Sequence, residues 1–139
     1  MKTLLLLFLF TASVAAIPFR STTVVARVIL RCKHPKDPSA KVFLMEKDFG
    51  DHEIDEDDTM DFAEFKFGQI PEKPLQLKGE EFEFSGLEPY IYISHACTEN
   101  RVEAWDSFNV TLETSMYLSA TFDVIIDLDT KKSTVIKNI

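Results

Sequence analysis

The sequence predicts an all-β protein, an antiparallel sandwich of about seven to nine short strands. Three observations carry this. Apolar residues recur at every second position in one stretch after another, and almost nothing shows a helical period. Turn-forming residues separate these stretches at short intervals. Hydrophobic residues make up 45% of the chain and include 12 phenylalanines, ample for a packed core and unlike a disordered composition.

The first element is not a strand. Lys2, the apolar "LLLLFLF" of Leu4 to Phe10 and the small residues of "SVAA" read as a secretory leader, residues 1–16, cut after Ala16. Its apolar run is well short of the roughly 20 residues a membrane span needs. Residues 17–139 then read as a single domain, soluble and extracellular, with no later segment that spans a bilayer.

In "TTVVARVILRC", Thr22, Val24, Ala26, Val28, Leu30 and Cys32 share one face of a strand; the other face is wet or partly covered. Pro35 and Pro38 mark a loop. "KVFLMEK" (Lys41 to Lys47) is apolar on both faces, as a central strand is. "DFGDHEIDEDDTMD" is too acidic and irregular for a strand. Phe65 and Phe67 alternate with polar neighbours, Pro71 and Pro74 punctuate, and Phe82 and Phe84 alternate with Glu81 and Glu83. "EPYIYISHAC" sets Ile91, Ile93, His95 and Cys97 on one face and Tyr90, Tyr92, Ser94 and Ala96 on the other. In "DSFNVTLE", Phe108, Val110 and Leu112 face one way. Ala120, Phe122, Val124, Ile126 and Leu128 form a final core stripe before a "DTKK" turn and a last strand. A short helix fits only in "CTENRVEAW" or "ETSMYLS".

The chain carries 15 basic and 23 acidic residues, and Lys2 departs with the leader. This acidity disfavours nucleic acid and anionic headgroups as bulk-charge partners. Two cysteines, Cys32 and Cys97, in an exported chain point to one disulfide. Both sit at core-facing strand ends; closing a loop of about 65 residues is worth about 4 kcal/mol on the chain-entropy model. The alternative is a reactive thiol at Cys97 beside His95. A zinc site does not fit, because no second cysteine lies near either one and the histidines are scattered.

His95, on an apolar face, reads as a core or rim histidine, with ligand binding as its other use. Asn109 opens the sequon "NVT" on a polar strand face, a glycosylation acceptor. The acidic run from Asp48 to Asp61 reads as a solvated loop. Calcium is its alternative use, but no glycine occupies the sharp-turn position and no glutamate closes an EF-hand spacing. Ser94 and His95 point to opposite faces, so they cannot form a nucleophile–base pair. No catalytic residue, cofactor or metal site is assigned.

At "LEPYIYISHAC", through Pro89, Tyr90, Tyr92, Ile93, His95 and Cys97, the chain resembles the nematode transthyretin-like family. "VVARVILRC" and "AKVFLMEKD" are similar to that family's first two strands, and "DHEIDEDDTM" falls where it has an Asp-rich loop. The chain departs from the pattern at Glu88, Ser94, Ala96 and Ala26 and lacks a further downstream cysteine pair, as a divergent member would. The resemblance implies a transthyretin-like, immunoglobulin-like sandwich and extracellular recognition rather than catalysis. The expectation is therefore a secreted, non-enzymatic binding or carrier module. Its partner would be a small hydrophobic molecule, a lipid or a cell-surface protein, held by the loops at one end or by a sheet face carrying Tyr90 and Tyr92. That face would alternatively pack at a homodimer contact. The rivals are a secreted transthyretin-related hydrolase using His95 and a structural protein of extracellular matrix.

Overall fold

The computed structural model describes residues 21–47, 57–81, 87–97, 105–114 and 119–138, the side chain of Glu81 apart. Eight strands account for most of them, and none of the described residues is helical. They are β1 (Thr22–Arg31), β2 (Ser39–Glu46), β3 (Asp58–Lys66), β4 (Leu75–Glu81), β5 (Pro89–His95), β6 (Asp106–Thr111), β7 (Ala120–Asp127) and β8 (Lys132–Asn138). The strands divide into two four-stranded sheets, ordered β4-β1-β7-β8 and β3-β2-β5-β6. The leader, Glu53 and Asp55, Phe82 and Phe84, and most of the two stretches that admit a helix lie outside the described residues.

Alternation builds both sheets. In β1, Thr22, Val24, Ala26, Val28 and Leu30 are all buried, as are Ala120, Phe122, Val124, Ile126 and Leu128 of β7 and its turn. Side chains of successive residues point to opposite faces, so a period of two sends one whole set inward. From the other sheet come Ala40, Val42 and Leu44 of β2, Ile91, Ile93 and His95 of β5, and Val110 of β6. Small residues sit beside large ones: Ala26 lies between Leu77 and Phe122 in register. Setting a small side chain between large ones in this way lets neighbouring side chains interdigitate.

Two expectations need correction. The sandwich is not wholly antiparallel, because β1 and β7 pair in parallel, Val24 with Ala120 through Arg31 with Asp127. The chain changes sheet between β6 and β7, which frees it to return beside β1 in the same direction, whereas a tight hairpin admits only the opposite one. The acidic stretch is also not loop to its end. Asp58, Thr59, Met60 and Asp61 belong to β3, with a bulge where Leu44 pairs Asp61 but Met45 pairs Thr59. Edge position and the bulge accommodate this polar sequence.

The bulge closes one side of the sandwich. Asp61 Oδ2 accepts a hydrogen bond from the Lys78 backbone N–H of β4 at 2.8 Å. Met60 packs against the core beside Gly79. At one end, Cys32 follows β1 and Cys97 follows β5, and they form the disulfide that joins the two sheets, with Cα atoms 5.9 Å apart. Lys131 at that end reaches from the β7–β8 turn to Asp106 of β6, 3.1 Å away. The turn itself is set by Asp127, whose Oδ1 accepts from the Thr130 N–H, and by a left-handed Lys131.

Candidate functional site

Strand β5 is flanked by β2 and β6, and its two faces have opposite characters. Its inner residues Ile91, Ile93 and His95 are wholly buried. Its outer residues, Tyr90, Tyr92 and Ser94, are half-buried. Registers across the sheet place Phe62 opposite Phe43, Phe43 opposite Tyr92, and Tyr92 opposite Asn109. These four side chains therefore form one row across β3, β2, β5 and β6 on the outer face.

The aromatic part of the row is continuous. The Phe62 and Phe43 ring centroids lie 4.8 Å apart, tilted by 36°, and Phe43 and Tyr92 lie 5.8 Å apart, tilted by 58°. Offset, tilted pairs at these separations stabilise by about 0.5–1.5 kcal/mol each, so the row also stiffens the sheet. Phe62 keeps 46% of its surface exposed at the β3 edge. Further along the face, Trp105 is 47% exposed, and Lys41 Nζ stands 5.8 Å from the centre of its ring. The result is an outer sheet face with a run of aromatic rings across three strands and a cation beside an indole at one corner.

Tyr90 is tied down. Its hydroxyl donates to Asp57 Oδ2 at 2.6 Å, and burial, then the bond and charge of Asp57, push its pKa up to about 12. The phenol thus stays protonated and anchors the chain where it enters β3. Tyr90 lines a cleft of about 650 Å³ with Asn109, Thr111 and Glu113. A second cleft of about 550 Å³ opens at the disulfide end, between Arg31, Phe67 and Asp129.

His95 occupies the opposite face. Its Nδ1 accepts the Cys97 backbone N–H at 3.2 Å, which leaves the proton of the neutral ring on Nε2. That nitrogen is buried and has no hydrogen-bond partner among the described residues. Burial lowers the pKa of His95, overriding the opposing pull of Asp106. Ser94 points outward from the same strand, so the two form no catalytic pair. Of the sequence-predicted residues, the fold brings Tyr90, Tyr92 and Asn109 onto one surface and sets His95 behind them in the interior.

The lowered pKa has a signed consequence. Well above the ordinary histidine pKa of about 6.5, His95 is neutral in folded and unfolded chains alike and adds no pH dependence. As the pH falls below that, the unfolded chain takes up the proton first and stability drops until the folded value is reached. The His95→Asn variant, which keeps an acceptor near the Nδ1 position, is expected to lose this slope. The one-proton limit is about 1.4 kcal/mol per pH unit. Denaturant midpoints of both proteins between pH 7 and 5 measure it; parallel curves would remove His95 as the cause.

Cys32, Cys97 and Asp129 each place one ligand-type atom within 4.8 Å of the others, but both sulfurs are committed to the disulfide. Asp129 instead accepts from the Lys33 backbone N–H at 2.9 Å. Asp57 is the one member of the Glu53, Asp55, Asp57 alternation among the described residues, and Tyr90 holds it. Among the described residues there is no helix long and apolar enough to cross a membrane.

Sequence reasoning missed Phe62, Phe43, Trp105 and Lys41 as surface residues of one site. Phe43 was visible as the outward residue of a strand apolar on both sides. Phe62 was hidden because the acidic stretch before it masks the start of β3. Compared with known proteins, the chain matches no family model, no curated protein and no solved structure.

Proposed function

We propose that this chain is an exported, non-enzymatic recognition module that engages a partner protein with the outer face of the β3-β2-β5-β6 sheet. The observation that carries the proposal is the Phe62–Phe43–Tyr92 row, exposed at its β3 end and flanked by Lys41 over the Trp105 ring. Aromatic side chains with a polar or cationic rim are the residues that anchor protein interfaces. Phe62, Phe43 and Tyr92 line neither of the two clefts, whereas carrier pockets enclose most of a small molecule's surface with the residues that recognise it. This favours a protein partner over the small hydrophobic ligand or lipid that the sequence also allows.

Export is part of the same proposal. The leader-like residues 1–16 motivate it, and the Cys32–Cys97 disulfide suits an oxidising compartment. Membership of the nematode transthyretin-like family rests on the quoted motifs and is proposed on them. Nothing favours a second reading: the hydrolase alternative needs His95, which is buried at 0% exposure.

Native mass spectrometry of the chain secreted from eukaryotic culture separates carrier from protein-recognition module. The expected spectrum is polypeptide with covalent additions only. A non-covalent small molecule that leaves on denaturation would overturn the protein-partner reading, and hydroxyisourate turnover lost in His95→Ala would overturn the non-enzymatic one.

A further inference from the structure

The aromatic row does not end in solvent at β6 but at Asn109. That residue is exposed, as is Thr111, and both lie on the outer face of the sheet. Asn109 is the register partner of Tyr92, and Thr111 that of Tyr90. The strand that carries them is the last of its sheet, with no described strand beyond it. An acceptor asparagine with threonine two residues on is thereby presented at an open edge, with a half-buried tyrosine ring as its cross-strand neighbour.

We infer that Asn109 carries an N-linked glycan whose first N-acetylglucosamine packs on Tyr92 and covers the β6 end of the aromatic row. The inference rests on the export reading, because the modification is made in the secretory compartment. There the Asn109 amide nitrogen attacks C1 of the first sugar of a polyprenyl-diphosphate-linked oligosaccharide. The new C1–N bond replaces the C1–O bond to diphosphate, the amide loses one proton, and the lipid diphosphate departs. No oxidant or reductant is involved.

Two physical arguments place the sugar on the ring. Adjacent strands are about 4.8 Å apart, so a sugar tethered by the short asparagine side chain reaches across one strand spacing, onto Tyr92. The C–H face of the sugar covers apolar ring surface that otherwise meets water. Position on the edge strand adds a second effect: a bulky, hydrated chain beside β6 hinders edge-to-edge pairing, the hazard of an uncovered sheet edge. The glycan would leave Phe62 and Phe43, at the other end of the row, open to a partner.

The test uses the full chain expressed with its own leader in eukaryotic culture. The expected result is protein in the medium that loses mass with peptide-N-glycosidase, and an Asn109→Gln variant that does not. Unmodified protein in the medium would overturn the site alone. Unmodified protein retained in the cells would overturn the export reading and the site with it. For the packing, an endoglycosidase that leaves one N-acetylglucosamine should preserve the melting temperature. Complete removal should lower it by about 3 °C or more, the size of shift expected of one ring contact in a domain of this length. Tyr92→Phe should keep that difference and Tyr92→Ser abolish it; an undiminished difference in Tyr92→Ser would overturn the packing. Should Tyr92→Ser fail to fold, the wild-type protein decides: ring-current upfield shifts of the sugar protons support the contact, and their absence overturns it.

Discussion

Replacing both cysteines, as Cys32→Ala and Cys97→Ala together, is expected to lower the stability of the fold by about 4 kcal/mol. The bond closes a loop of 65 residues between partners on different sheets. Its removal gives the unfolded chain that freedom back while leaving the buried strands' own contacts in place. A domain of this size is stable by only about 5–15 kcal/mol, so the loss is a large share of the total. Equilibrium unfolding in denaturant measures it, and the slope should steepen as the unfolded state expands. Alanine is the right replacement, because Cys97 is 4% exposed and a serine hydroxyl would be buried there. A change below about 1 kcal/mol would mean that residual structure already confines the unfolded chain without the bond.

Gly79→Ala is expected to cost about 2–3 kcal/mol, near the upper part of the range for overpacking. A Cβ at this buried position would stand 2.5 Å from Met60 Sδ, 2.8 Å from Met60 Cβ and 3.2 Å from Leu44 Cδ2. The thioether can swing aside; the Met60 Cβ is fixed to the bulged backbone of β3 and cannot. Met60→Ala should therefore recover part of the loss and leave the rest, a coupling that a double-mutant cycle reads directly. Equal losses with methionine or alanine at position 60 would show that the corner between β3 and β4 relaxes as a unit.

The same corner shows what the sequence conveys and what it does not. β1, β2, β5, β6 and β7 are legible because each buries an unbroken alternating set: Val24 to Leu30, Val42 and Leu44, Ile91 and Ile93, Val110 and Leu112, Ala120 to Leu128. β4 is not, because "LQLKGEE" offers only Leu75 and Leu77 as inward apolar residues. A third inward position holds Gly79, since Met60 from the other sheet fills its space. Pairing of that kind lies between strands distant in the chain and leaves no periodic trace. The start of β3 is obscured similarly, by carboxylates that an edge strand tolerates.

The candidate site divides along the same line. Tyr90, Tyr92 and Asn109 could be placed on outward faces from alternation alone, and Cys32 and Cys97 at strand ends. That Tyr92 stands between Phe43 and Asn109 depends on register, which no local pattern specifies for strands so far apart. Alternation sets His95 on the apolar face of its strand, but that it is wholly buried depends on the second layer of the sandwich, which no local pattern in this stretch specifies.

The central claim is that one sheet face of this sandwich meets a partner protein. A photo-crosslinking residue at position 62, on the aromatic face, should give a discrete adduct with extracellular or cell-surface protein from the producing tissue. Excess unlabelled wild-type chain should suppress that adduct. The same group at position 121, on the outer face of the other sheet, is the control and should give none. Adducts of equal yield and pattern from both positions would contradict the claim, because contact would then be independent of the face presented.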